Sequence, residues 1–244
     1  MEVLVERRQL DAAILLRGVD DADPRVRRAA LLSMGAVEDP AMLARLLALA
    51  RGQEQVLQNA ALEALGASAS PEALRVLVVT LKEATGMPLR SAMLGLARMG
   101  GASATGALRE FAEAEAAGTD DRVAAVAALG SRPDAFAVEA LVQLLNSPQA
   151  MVREEAACQL AAAGDTRAVP VLLDVLQQPS HAARALDFLS TLLSVDGGQQ
   201  GAEFQATWRS GTFLAQIDWF RKALEADGYP GGGDQVQGIP LAAI

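Results

Sequence analysis

The chain is poor in aromatic residues: Phe, Trp and Tyr make up 4% of its 244 residues. Sheets draw heavily on aromatic and β-branched side chains, so a sheet-based core is disfavoured. Cys158 is the single cysteine, which excludes an internal disulfide and fits a reducing compartment. His181 is the single histidine, so no Cys/His ligand set for zinc exists and any metal site would rest on carboxylates. Lysine is nearly absent, with Lys82 and Lys222 the only two. The remaining basic residues are Arg, which together with abundant Ala points to a GC-rich bacterial genome. No apolar run approaches the ~18 residues of a membrane span. Glu2, Glu6, Arg7 and Arg8 break any signal-peptide apolar core. Neither a GxxxxGK[ST] nor a GxGxxG motif occurs, and Gly231, Gly232 and Gly233 follow no strand and open no helix. The expectation is a soluble cytoplasmic protein without cofactor, metal or membrane partner.

Positive charge is also short. With 30 acidic against 21 basic residues the net charge is -9, the wrong sign for a chain that must neutralise phosphates. Arg25, Arg27 and Arg28 form the one basic cluster. The first 51 residues hold eight acidic residues against eight basic ones, so the cluster reads as a solvated helix face pairing with Asp20, Asp21 and Asp23. No nucleic-acid partner is expected.

What the chain has is Ala, Leu and Val in a repeating order. A segment recurs that ends in a small residue at Gly35, Gly66, Gly100, Gly130 and Ala161, at spacings of 31, 34, 30 and 31. An Ala-rich helix precedes each small residue. The clearest is Arg25 to Met34, where Asp23 caps the start and Pro24 occupies a position whose missing amide costs nothing. A second helix follows each, with apolar residues at offsets 0, 3, 4 and 7: Leu43, Leu46, Leu47 and Ala50; Leu74, Leu77, Val78 and Leu81; Val138, Leu141, Val142 and Leu145; Val169, Leu172, Leu173 and Leu176. The third copy is degenerate, with Leu108, Phe111 and Ala112, then Glu115, and a sixth weaker copy runs from His181 to Leu193. Two such helices cannot bury their apolar faces alone, so stacking of neighbours must complete the core. The small residues serve either close helix approach or a left-handed cap.

Val152-Arg153-x-x-Ala156-Ala157-x-x-Leu160, followed by Gly164-Asp165 and by Ala168-Val169-Pro170-x-Leu172-Leu173, resembles the bacterial HEAT-like repeat, the type also found in phycobilin-lyase-type proteins. The resemblance covers residues 20–195. It implies an all-α superhelical solenoid of about six helical hairpins, with the second helices lining a concave surface. The array is read as residues 1–227: a capping helix over 1–19 with Val3, Leu4, Leu10 and Ile14 inward, repeats over 20–195, and an aromatic capping helix over 203–227. The Gly/Pro-rich residues 228–244 read as a flexible tail.

Candidate chemistry is sparse. The His/Glu pairs that carry iron in HEAT-repeat hydroxylases are missing. His181 follows Pro179-Ser180 and reads as a surface cap; Cys158, among alanines, reads as a small buried hydrophobe. The acidic pairs Asp20-Asp21, Asp120-Asp121 and Glu154-Glu155 read as helix starts, where the dipole favours them. The candidate site is therefore the face of the second helices opposite their core. It carries Glu72, Arg75, Arg109, Glu113, Phe136, Glu139, Gln143, Arg167 and Asp174, besides Ala41, Ala44, Ala48, Val79, Gly106 and Pro170. Phe136 is either an exposed anchor or folded into the next unit. Trp208, Trp219 and Phe220 are a second candidate surface, since aromatic side chains anchor interfaces. The expected function is a non-enzymatic adaptor whose concave face holds a protein or peptide, the acidic balance favouring a basic partner. The alternatives are a bilin lyase-like subunit holding a tetrapyrrole and a nucleic-acid binding or repair protein.

Overall fold

The computed structural model describes residues 13–36, 39–175, 178, 180, 181, 183–185, 187–189 and 192. Val3, Leu4, Leu10, Leu176, the aromatic segment with Trp208, Trp219 and Phe220, and the Gly/Pro-rich tail lie outside these residues. Among the described residues all regular structure is helical. After a helical stretch at 13–19 come α1 (Pro24–Met34), α2 (Pro40–Ala50), α3 (Gln55–Leu65), α4 (Pro71–Glu83), α5 (Gly86–Met99), α6 (Gly101–Glu113), α7 (Thr119–Ser131), α8 (Ala135–Leu144), α9 (Ala150–Ala162), a 3₁₀ turn (Thr166–Ala168) and α10 (Val169–Val175). Odd-numbered helices are the Ala-rich first helices of the repeats, and even-numbered helices are the second ones.

Local chemistry sets the starts. Asp23, Asp39 and Ser70 each accept a hydrogen bond from a first-turn amide, and Pro24, Pro40 and Pro71 follow them at a position with no amide to satisfy. Asp120 and Asp121 lie in the first turn of α7, as their pairing suggested. Each cap of this kind contributes about 1 kcal/mol.

The chain forms two compact units, Met1–Ala140 and Leu141–Ile244. In the first, α1, α3, α5 and α7 pack side by side as one layer and α2, α4 and α6 as a second, each second helix also lying against the first helix of the following repeat. In the second unit α9 packs against the 3₁₀ turn and α10. Ala185, Leu189 and Leu192, at helical spacing, are buried.

The buried stripe of the second helices lies about one residue earlier than the apolar pattern suggested. Met42, Leu46 and Ala50 are buried in α2; Ala73, Val76, Leu77 and Leu81 in α4; Ala137, Ala140, Leu141 and Leu144 in α8. Leu43, Leu47, Leu74, Val78, Val138, Val142 and Leu145 are only half-buried. In α4 and α8 the places that the pattern passed over are taken by alanines, Ala73, Ala137 and Ala140, and in α2 by Met42. In α10 the expected Val169, Leu172 and Leu173 are buried, as are Leu108 and Ala112 of the degenerate copy. Ile14, expected inward, is 52% exposed, and Val19 is the buried residue of that stretch.

Two of the repeated glycines serve close approach, and a third serves a different backbone need. Gly35 and Gly66 have right-handed φ values of -60° and -63°. A Cβ on Gly35 would stand 2.0 Å from the Ala64 carbonyl oxygen, and one on Gly66 would stand 2.2 Å from that of Gly95. These glycines let successive first helices touch backbone to backbone. Gly100 has a positive φ of +65° but ψ of -164°, an extended conformation open to glycine rather than the left-handed cap, and Asp134 stabilises its turn by accepting from the Gly101 amide at 3.0 Å.

In three of the five repeats a polar side chain eight residues before the small residue ties the first helix to the segment before it. Arg27 Nη1 donates to the carbonyls of Asp21 and Ala22, Gln58 Nε2 to that of Ala50, and Arg153 Nη1 to that of Ser147. These bonds satisfy carbonyls that the preceding segment leaves open. The Arg25/Arg27/Arg28 cluster is thus not a face pairing with the nearby aspartates. Arg28 instead reaches Glu63 on α3 at 2.6 Å, because the helices of one layer stand side by side. Asp23 spends its carboxylate on the α1 amide of Arg25.

Candidate binding groove

In the first unit an open groove of about 580 Å³ lies between the end of α2, the start of α3 and one side of α4. Ala50, Val76, Val79 and Ala84 supply its apolar surface; Arg51, Gln58, Glu72, Arg75, Thr80 and Glu83 supply the polar one. Val79 is 51% exposed. The groove exists because α2 stops at Ala50 and the chain turns through Arg51, Gly52 and Gln53 before α3 begins. Gln58 closes that turn through its bond to the Ala50 carbonyl.

One end of the groove is a three-charge network. The Glu72 carboxylate accepts from Arg51 Nη2 at 2.8 Å through Oε1 and from Arg75 through Oε2. The Arg75 hydrogen bond, then that of Arg51, holds the Glu72 carboxyl below the usual carboxylate range, so it is ionised at neutral pH. Two guanidiniums against one carboxylate leave this end net positive. The other end carries Glu83 in the last turn of α4, with no ion pair among the described residues.

The candidate residues are not gathered into one cluster. Glu72 and Arg75 meet in the groove. Arg109 bonds Glu113 within α6 at 3.0 Å. On α8, Phe136 is 54% exposed rather than folded into a neighbour, and Glu139 is exposed. In the second unit Gln143 is exposed on the last turn of α8. Arg167 pairs with Asp165 at 2.6 Å, which holds the Asp165 carboxyl below its ordinary value. Asp174 is exposed, and partial desolvation by its neighbours pushes its carboxyl up, against the opposing charge of Arg153. Arg51 was missed by sequence reasoning. Its signal was its place just after the last helical residue of α2, where a base meets open carbonyls.

The second unit corrects two readings. Glu154 and Glu155 do not sit at the start of α9; they lie in its second turn, 5% and 4% exposed. Burial of two adjacent carboxylates is tolerable only with partners, and the chain returns to provide them. His181 Nδ1 lies 2.5 Å from Glu154 Oε2, and Arg184 Nη2 donates to Glu155 Oε2 at 2.6 Å. Gln159 Nε2 donates to the other Glu155 oxygen at 2.7 Å. His181 does hold a cap position, its carbonyl accepting from the amides of Arg184 and Ala185, but its ring turns inward to Glu154. Cys158 is buried, and desolvation pushes its thiol up to about 12, with Arg184 opposing and the two glutamates reinforcing. It is a core residue rather than a nucleophile.

Among the described residues no group of three or more His, Cys, Asp or Glu is placed to hold a metal ion. No helix among them is long and apolar enough to cross a membrane.

The family model for HEAT repeats matches residues 10–66 and 108–192, more than half of the chain. The gap between the two matches contains α5, whose repeat is the longest in spacing. No curated protein matches. Similar solved structures include YibA from E. coli, 14% identical over 87% of this chain and 82% of that one, with a TM-score of 0.46. Human deoxyhypusine hydroxylase, in complex with glycerol, is 20% identical over 87% and 83%, with a TM-score of 0.33. An engineered protein is 20% identical over 85% and 95%, with a TM-score of 0.34. The periodic hairpins, the backbone-close first helices and the family match agree: this chain belongs to the HEAT-repeat family, as an all-α helical repeat scaffold.

Proposed function

We propose that the protein is a non-enzymatic adaptor that holds a protein or peptide segment on the exposed side of its second helices. The observation that carries this reading is that second helices of the first unit leave large apolar side chains uncovered, Val79 on α4 and Phe136 at the start of α8. Both are half or more exposed, and the second helices also carry the charged Arg75 on α4, Arg109 and Glu113 on α6 and Glu139 on α8, each exposed or half-buried. Large exposed aliphatic and aromatic side chains are the usual makings of an interface anchor. A stacked-helix scaffold orders nothing on its own side when a partner arrives, so less of the contact energy is lost to entropy. The buried thiol and the fully paired Glu154-Glu155 cluster favour a binding role over catalysis. The acidic net charge adds a long-range preference for a basic partner and speaks against nucleic acid.

The test is affinity capture from native lysate with wild type and with a Phe136→Ala, Arg109→Glu double variant. Both positions are at the surface or half-buried, so the variant is expected to keep the wild-type circular-dichroism melt. A partner enriched on wild type and reduced at least tenfold on the folded variant supports the reading. Equal capture by both moves the site off this face.

A further inference from the structure

The groove beside α4 has a polarity that specifies its occupant more closely than the adaptor reading on which this inference rests. Its positive end is Arg51 and Arg75 sharing the one Glu72 carboxylate. Each guanidinium carries five N–H donors in a rigid fork, so both retain donors after binding Glu72. The two side chains are exposed, at 57% and 69%. The negative end is Glu83, in the last turn of α4 and without an ion pair among the described residues. The α4 dipole reinforces both ends, since Glu72 and Arg75 lie in its first two turns and Glu83 beside its open carbonyls. Lys82 shares that last turn but does not line the groove. Arg75 and Glu83 are eight residues apart on one helix, which is about 12 Å of rise. Between them the α4 wall is Val76, Val79 and Thr80, whose hydroxyl donates to the Val76 carbonyl, with Ala50 and Gln58 completing the lining.

We propose that this groove receives a short segment of a partner protein that carries an acidic and a basic side chain about 12 Å apart with an aliphatic side chain between them. The partner's carboxylate docks on the free donors of Arg51 and Arg75. Its ammonium or guanidinium docks on Glu83, and its aliphatic side chain covers Val76 and Val79. A helix delivers that pattern at positions i, i+4 and i+8, which fall on one face. A polyanion fits poorly, because Glu83 and the bound Glu72 would face it.

The test uses the full chain and helix-stabilised synthetic peptides bearing Glu, Leu and Lys at positions i, i+4 and i+8, read by fluorescence anisotropy. Comparison peptides replace Glu and Lys by two Gln, or Lys by a second Glu. Rim ion pairs are individually weak, so the expected preference of wild type for the Glu/Lys peptide over the Gln/Gln peptide is about fivefold at low salt, shrinking as salt rises. In Glu83→Lys the preference should pass to the Glu/Glu peptide; this residue is exposed at a helix end, so the fold is expected to persist. The inference is overturned if Gln/Gln binds wild type as tightly as Glu/Lys, or if Glu83→Lys leaves the peptide order unchanged. If binding in that case is still abolished by Val79→Asp, the groove holds a segment without reading its charge and the adaptor reading stands. Absence of binding by every peptide at millimolar concentration also overturns the inference, whereas the adaptor reading is decided separately by the Phe136→Ala, Arg109→Glu capture.

Discussion

Replacing Gly66 with Ala should destabilise the first unit, although the substitution is favourable by helix propensity alone. Gly66 has φ of -63°, where Ala suffers no backbone strain. Its new methyl would lie 2.2 Å from the Gly95 carbonyl oxygen and 2.8 Å from the Gly95 C and Cα atoms. All three are backbone atoms of α5, so no rotamer change relieves the clash. Bringing the contact to a tolerable distance requires α3 and α5 to separate by about 1 Å. A gap of that size forfeits roughly a quarter to a half of each dispersion contact along the interface. Overpacking of this kind costs about 1–3 kcal/mol, and the loosened contacts place Gly66→Ala near the upper end. The gain in chain entropy offsets less than about 1 kcal/mol. The net loss of about 2 kcal/mol corresponds to a Tm lower by about 4–8 °C for a chain of this length. Gly106→Ala is the matched control. It lies inside α6 with nothing within 4 Å of where its new methyl would stand, so it should gain about 0.5–1 kcal/mol and raise Tm by a few degrees. Circular-dichroism melts of the two variants decide the matter. A Gly66→Ala protein melting at or above wild type would refute the reading of that glycine as a close-approach residue.

Two further outcomes follow from single residues. Asp134 accepts from Gly101 and Ala137, and the Gly101 amide in particular holds its carboxyl below the ordinary aspartate value. A depressed folded-state value contributes stability above the unfolded-state value near 4 and loses it as pH falls through the folded-state value. Asp134→Asn should therefore lower Tm at pH 7, by roughly 1 kcal/mol of stability, with the gap to wild type closing below about pH 4. A gap independent of pH would contradict it. Cys158, buried with its thiol pushed to about 12, should react with a disulfide reagent at pH 8 only as fast as the second unit opens. Labelling of the native protein at the rate of a free thiol would show that the core around α9 is not closed.

The periodic features were readable because they are local. The Asp23-Pro24 start, the helical spacing of aliphatics and the small residue about every 31 positions each act within one turn or one repeat. The face of each second helix was read nearly correctly, but its centre was displaced. Ala73, Ala137 and Ala140 are buried, and the pattern passed over them. Features formed by distant partners were not readable. Glu154 and Glu155 look like a helix start until His181 and Arg184, more than 25 residues later, are placed against them. Arg28 seemed to belong with its neighbouring aspartates and instead meets Glu63, 35 residues on. Of the groove, Glu72, Arg75 and Val79 were legible as one helix face. Arg51 and Gln58 were not, because the groove depends on where α2 stops relative to the helix after it. The role of each glycine needed backbone coordinates: Gly66 serves close approach, whereas Gly100 takes a positive-φ extended conformation that is not the left-handed cap.

The central claim, that the second-helix side of the first unit is the binding surface, is tested most directly by site-specific photo-crosslinking. A crosslinking amino acid would be placed in turn at Val79 and Phe136 on second helices and at Val56 and Leu94 on first helices, all four exposed. The account predicts that the same partner band forms from Val79 and Phe136 and is absent from Val56 and Leu94. Crosslinks arising from Val56 and Leu94 instead would contradict it and place the interface on the first-helix layer.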